Sequence, residues 1–367
     1  MTLPLHILEP TLTTQTGHCY GYVRSLLKTQ QAAQFQLHVW LGRQGKNLFQ
    51  QEKCQIHPYF VQKLRKIQTY FCLRALLRSA DSLFIPTAGR LDLIYLHRLL
   101  KKNFNHSIVF LHFHQWRDTP EKMALLKKIA KAHPSFVMMA PTEKLLAVFK
   151  QAGFSRCEYV PCPGYETHFN TSQQIPIGQK LIYAGAARAD KGFPQVIPLI
   201  KYLSDNHISL PVELQLSPPS SGRYDSSTEK AIAMLQQYRA SHVTVHPHTL
   251  DQKAYQQLFQ HAVALLLYDS RCYHNKFSGV ALDAFSAGCP VITTENTWAS
   301  DIVRRFGAGI VINDCEPHTV YQAAQSIQQN YLHYHNNAIQ AGKVLQQEHD
   351  PANTLAVFLK YINRKHE

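Results

Sequence analysis

Acidic residues are scarce in this chain: 24 Asp and Glu stand against 38 Lys and Arg in 367 residues, a formal net charge of +14. A field of that sign turns the protein toward anionic surfaces or polymers. Long apolar runs are missing as well. No stretch approaches the ~20 continuous apolar residues of a membrane-spanning helix, which excludes that kind of anchor within the sequence. The opening residues, Met1 to Glu9, have no basic region and no long apolar core, so they read as a first strand and not as a secretory signal. The eight cysteines include no Cys-x-x-Cys pair, which excludes the common zinc patterns and suits reduced thiols in a cytosolic protein. Internal repeats are absent too, and with them repeat architectures.

What is present is an ordinary globular composition, 45% apolar, in a chain long enough for two domains. Strand-like and helical runs alternate throughout, which predicts parallel sheets flanked by helices. In the first half the strands read as Leu5–Glu9, Phe35–Leu41, Ser82–Pro86, Ile108–His112 and Phe136–Ala140, with helices near 18–30, 59–79, 92–103, 119–132 and 142–152. In the second half the strands are Lys180–Ala184, Pro211–Leu216, His242–Val245, Ala262–Tyr268, Val291–Thr294 and Gly309–Ile312, with helices over 317–347 and 352–363. A Pro/Gly-rich stretch from Tyr159 to Tyr165 ends the first domain, taken as 1–168, and a polar linker leads to the second, 175–348. Gly17 lies in a loop after the first strand, where doubly wound folds place ligand contacts.

Charge is uneven. Residues 1–170 hold 22 Lys and Arg against 9 Asp and Glu, so nearly all of the excess lies in the first half. Its densest part runs from Tyr59 to Arg78. On a helix, Phe60, Leu64, Ile67, Phe71 and Arg74 share a stripe flanked by Lys63, Arg65, Lys66 and Arg78. Basic flanks beside aromatic residues suit an interfacial helix on anionic lipid, and a core-packed helix with a solvated cationic face gives the same pattern. No helix-turn-helix, zinc-finger or RNA-binding signature accompanies the charge, which argues against nucleic acid as the partner.

Two segments carry chemistry. In Leu181–Phe193 a buried strand leads to a small-residue loop holding Arg188 and Lys191, a planar fork and a point charge three residues apart, suited to a diphosphate. In Asn275–Val291, Ser278 and Gly279 open a helix whose unpaired N–H groups and positive dipole end form an anion cradle near Val280. Asp283, one turn in, can accept from a ribose. A third segment, Phe110–Trp116, puts His112 and His114 on the same side of a strand end, where either can donate to a sugar hydroxyl or a leaving group. With no third ligand in reach, this His-x-His pair does not by itself make a metal site.

Together the first two segments resemble the C-terminal half of the retaining "group 1" glycosyltransferases of GT-B fold. Lys191-Gly192 matches the first part of their signature, and Phe277, Ala284, Gly288, Pro290 and Val291 match the second. The resemblance implies an α/β fold of two Rossmann-like doubly wound domains facing a central cleft, with a last helix, 350–367, packing back on the first. It implies transfer of a sugar, with retention and without a metal ion or other cofactor, from a UDP- or GDP-linked donor. Arg188 and Lys191 would neutralise the diphosphate, Asp283 bind the ribose, and Gly17, Ser278, Gly279 and Val280 line the donor site. His114, or His112 second, would contact the donor sugar. Asn275 stands where the family usually has an acid that contacts the sugar, and Asp283 where it usually has Glu.

The acceptor would be a glycan or lipid-linked glycan of the cell envelope, met in the cytoplasm or on the inner face of the cytoplasmic membrane, with Lys63, Arg65 and Lys66 near it. Two other readings stay open at this stage. One is a catalytically weak glycan-binding or scaffold subunit, motivated by Asn275 and Asp283. The other is a nucleotide- or nucleic-acid-binding protein, motivated by the charge.

Overall fold

The structure, a computed structural model, describes residues 2–15, 18–79, 82–101, 108–163, 180–218, 222–237 and 241–363. It divides into two compact units, Met1–Glu166 with Glu348–Glu367, and Thr167–Gln347.

The first unit runs β1 (Leu3–Glu9), α1 (His18–Lys28), β2 (Phe35–Gly42), β3 (Gln55–Phe60), α2 (Arg65–Leu76), β4 (Ser82–Ile85), α3 (Arg90–Leu100), β5 (Val109–His112), α4 (Pro120–Ala132), β6 (Val137–Ala140), α5 (Glu143–Gln151) and β7 (Arg156–Tyr159). Its seven strands form one sheet in the order β3-β2-β1-β4-β5-β6-β7, every pairing parallel. Strands β4, β5 and β6 are buried at every position, which is why they read as unbroken apolar runs. The order reverses between β1 and β4, and the strand ends there make the unit's ligand edge.

The second unit runs β8 (Lys180–Tyr183), α6 (Phe193–Asp205), β9 (Val212–Gln215), α7 (Ser226–Gln237), β10 (Val243–His246), α8 (Gln252–Leu258), β11 (Ala262–Leu266), α9 (Ser270–Tyr273), α10 (Gly279–Ser286), β12 (Val291–Thr294), α11 (Trp298–Phe306), β13 (Gly309–Ile312), α12 (Pro317–Gln329) and α13 (Tyr331–Glu348). Six parallel strands follow the order β10-β9-β8-β11-β12-β13, with the reversal between β8 and β11.

A final helix, α14 (Pro351–Asn363), belongs to the first unit. Phe358 sits there against Phe84 and Phe110, with ring centroids 4.7 and 4.6 Å away. Lys360 Nζ and Tyr361 Oη each approach Glu158 Oε1 at 2.6 Å, tying the helix to the edge strand β7.

Three expectations change. The helix expected from residue 59 begins only at Arg65, and residues 55–60 form an edge strand; β3 carries Pro58, and an edge position accommodates a missing donor. Residues 156–159 add an unforeseen edge strand whose side chains are mostly half-buried. The helical run 317–347 is two helices broken at Asn330. Among the described residues no helix is long and apolar enough to cross a membrane.

Candidate functional site

The reversal point of the second sheet gathers most of the residues singled out from the sequence. Past β8, Gly185 adopts φ +95°, and a Cβ there would lie 3.3 Å from both Lys191 Nζ and Val280 Cγ2. The ammonium is thus seated between the loop after β8 and the first turn of α10. Gly192, at φ +76°, lies so close to the exit of β11 that a Cβ would sit 1.9 Å from the Leu267 carbonyl oxygen. Only glycine fits, and this close approach explains the Lys-Gly pair.

Arg188 is already engaged. Its Nε donates to Asp190 Oδ1 at 2.8 Å and a second guanidinium nitrogen reaches Asp190 Oδ2, while Lys276 Nζ meets the same carboxylate at 3.3 Å. Against the upward push of burial, Arg188 and Lys276 hold Asp190 below the usual carboxylate range. Burial, helped by the like charge of Arg188, pushes the Lys191 ammonium down to about 8, although Asp190 and Asp283 act the other way.

On α10, Ser278 is the N-cap: its hydroxyl accepts from the Ala281 N–H at 3.2 Å and shares a 2.7 Å hydrogen bond with Tyr268 Oη. The Gly279 and Val280 N–H groups fall in the first turn, which has no intrahelical acceptor. Gly279 is exposed and Val280 half-buried. Asp283 projects one turn on and accepts from Tyr255 Oη at 2.9 Å. Burial lifts its carboxyl to about 6 despite that bond and the nearby Lys191. Asn275 is only 1% exposed. A cavity of about 620 Å³ opens beside this group, past the carboxyl ends of β11, β12 and β13, with Asp190, Asp269, Thr294, Asn296 and Asp314 in its wall. It adjoins the basic pair along the turn of Ala189, Asp190 and Gly192.

The ligand edge of the first unit holds the two histidines of the third segment. Tyr22 Oη and His112 Nδ1 are 2.7 Å apart, and the His112 and His114 rings lie 5.0 Å apart on one side, as the strand alternation predicted. His112 is fully buried and His114 half-buried; burial and the neighbouring His18 lower His114 to about 4. The expectation that no third metal ligand lies in reach is overturned. One candidate ligand atom each from His112, His114 and Cys162 all lie within 4.8 Å of one another. The segment after β7 brings Cys162 to this pair, a contact sequence spacing cannot show. Glu9, at the end of β1, is fully buried and accepts from the Thr11 and Thr87 hydroxyls at 2.5 Å each. Thr142 caps α5 through a 3.2 Å bond from the Leu145 N–H. Gly17 lies outside the described residues.

The stripe read on α2 does not face the core. Thr69, Cys72, Leu73 and Leu76 make the packed side, and Phe60 is buried on β3. Leu64, Ile67 and Phe71 point outward, 53%, 60% and 51% exposed. Lys63, Lys66, Arg74 and Arg78 are exposed around them and Arg65 is half-buried.

Sequence reasoning gave no role to Asp190, Tyr255, Lys276 or Glu9, and set Cys162 aside as having no metal-ligand partner. Asp190 and Lys276 stood in view beside Arg188 and Asn275; Tyr255, Cys162 and Glu9 are brought in by the fold.

No protein-family model matches the chain, and no curated protein matches it in sequence. Solved structures do. HepE of Anabaena, in complex with UDP and glucose, is 13% identical at a TM-score of 0.72, covering 99% of this chain and 100% of that one. A glycosyltransferase from Rickettsia africae is 10% identical at a TM-score of 0.72, covering 98% and 99%. Sucrose-phosphate synthase from Thermosynechococcus elongatus is 14% identical at 0.68, covering 99% and 98%. These likenesses define the fold: an α/β protein of two Rossmann-like, doubly wound parallel-sheet units of the GT-B type.

Proposed function

We propose that the chain is a retaining glycosyltransferase that draws a sugar from a UDP- or GDP-linked donor bound by the second unit. One observation carries the reading: Lys191 Nζ, the loop at Gly185, and the first turn of α10 meet at the sheet's reversal point, with Asp283 one turn away. A diphosphate placed there would meet an ammonium and free N–H donors, with Arg188 close by. Charge developing on the departing nucleoside diphosphate would be taken up without a metal ion, the kind of preorganised stabilisation that dominates many enzymes. Asp283, oriented by Tyr255, would accept from the ribose hydroxyls. That HepE was solved with UDP and glucose supports the donor class.

The acceptor side of the proposal rests on α2. Outward Leu64, Ile67 and Phe71 among Lys63, Lys66, Arg74 and Arg78 suit a helix lying on anionic lipid, so the acceptor is proposed to be a lipid-linked or anionic glycan of the cell envelope, met at the inner membrane face. The burial of Asn275 favours a second reading, a glycan-binding subunit of low turnover, because that side chain is withdrawn from any sugar. A thermal-shift panel of nucleoside diphosphates and nucleotide sugars tests donor binding, since ligands of the native state raise its stability. A flat response to UDP, GDP and their sugars would overturn the transferase reading. Binding without transfer to any lipid-linked acceptor would select the second.

A further inference from the structure

We propose that His112, His114 and Cys162 form a binding site for one zinc-class ion in the first unit. Candidate ligand atoms of all three lie within 4.8 Å of one another. Tetrahedral zinc, with bonds of roughly 2.0–2.3 Å to nitrogen and sulfur, needs ligand atoms about 3.3–3.8 Å apart. On binding, the ligand atoms would have to draw together by at most about 1.5 Å. Two imidazoles and a thiolate are a donor set for zinc or cobalt and not for magnesium or calcium.

A second observation points the same way. The Nε2 atoms of both His112 and His114 are buried with no hydrogen-bond partner among the described residues. Buried imidazole nitrogens are costly to leave unpaired, and an ion satisfies both at once. His112 Nδ1 is held by Tyr22 Oη at 2.7 Å, and the backbones of Val160 and Pro86 lie against the His112 and His114 rings respectively. Metal-bound histidines are characteristically oriented through their other nitrogen in this way. Burial keeps both rings neutral, the ligand form, and holds the Cys162 thiol protonated while no ion is bound. Binding therefore releases the thiol proton to solvent as the sulfur–metal bond forms.

The role that follows is architectural. The ion would join the end of β5 to the Val160–Pro163 segment, whose Cys162 carbonyl accepts from His349 Nδ1 at 2.5 Å just before α14. It would replace the sugar contact that the resemblance assigns to His114. The site lies in the first unit and the donor residues in the second, so either proposal can fail without the other.

The test begins with the full-length protein purified under reducing conditions without chelator. Elemental analysis should find about one zinc-class ion per chain, or the metal-free protein should take up Zn²⁺ or Co²⁺ stoichiometrically. Cobalt loading should give a thiolate-to-cobalt charge-transfer band that Cys162→Ser abolishes. The same variant should weaken Zn²⁺ binding by more than the roughly 10–100-fold that loss of an outer-shell partner costs. Native protein that neither carries nor takes up either ion would overturn the proposal. So would a charge-transfer band that survives in a folded Cys162→Ser variant, because the ion would then be held elsewhere. Should the variant not fold, uptake by the unaltered chain still decides.

Discussion

Affinity for UDP should pass through a maximum between about pH 6 and pH 8, and the two limbs should belong to named side chains. Lys191 has its ammonium pushed down to about 8 by burial and by Arg188, so above that pH an increasing share of the chain carries a neutral amine. A diphosphate binds the charged form, and affinity falls toward tenfold for each pH unit above 8 until the Lys191 contribution is gone. Asp283 has its carboxyl raised to about 6, and below that pH protonation removes an acceptor facing the ribose. Each limb levels off at the worth of its contact. A charge-assisted hydrogen bond contributes about 1.5–3 kcal/mol, or roughly 10–150-fold in Kd.

Lys191→Ala should therefore bind UDP roughly 10–150-fold more weakly near pH 7 and lose the alkaline limb. Asp283→Asn should lose the acid limb and keep the alkaline one. Titration calorimetry across about pH 5–10 in buffers of matched ionic strength reads both. A Kd for UDP that does not change above pH 8, or an alkaline limb that persists in Lys191→Ala, would refute the placement of the diphosphate against Lys191.

Further outcomes follow from the same geometry. Arg188→Ala should lower sugar transfer by roughly two to four orders of magnitude, measured as kcat/KM, with the circular dichroism spectrum unchanged, because the fork lies in a loop. Transfer should proceed without added Mg²⁺ or Mn²⁺ and survive brief EDTA treatment; restoration by Mg²⁺ of a rate lost to EDTA would contradict a donor site built on cations and helix N–H groups. Lys191→Met should raise the melting temperature of the ligand-free chain below pH 8 while weakening UDP binding by the same roughly 10–150-fold. The sign follows from the depressed ammonium: the unfolded chain holds that proton up to about 10.4, so charging Lys191 opposes folding at lower pH and the penalty fades between about 8 and 10. The chain should sediment with vesicles containing anionic lipid and not with neutral ones, releasing as salt rises, and neutralising Lys63 and Lys66 should cost about 1 kcal/mol for each charge removed. Replacing Leu64, Ile67 and Phe71 with Ser should weaken the same binding without unfolding α2, since none of the three is packed in the core.

Local pattern alone was enough for the parts of this protein whose physics is local. The alternation of apolar runs with amphipathic segments identified two parallel α/β units, because a strand buried on both faces must be apolar throughout. Ser278 and Gly279 marked a helix start through their own conformational preferences, whereas the left-handed turn at Gly192 is seen only in the structure. What tertiary structure decided are contacts between residues far apart in sequence. The edge strands β3 and β7 have no apolar run to betray them and exist because a neighbouring strand offers hydrogen bonds. The stripe of Leu64, Ile67 and Phe71 has helical spacing, yet only the packing of Cys72, Leu73 and Leu76 shows that it faces away from the core. Tyr255 reaches Asp283 across 28 residues, and Cys162 joins His112 across 50. Spacing cannot report such meetings, because the sheet order brings those segments together, and that order is a property of the whole fold.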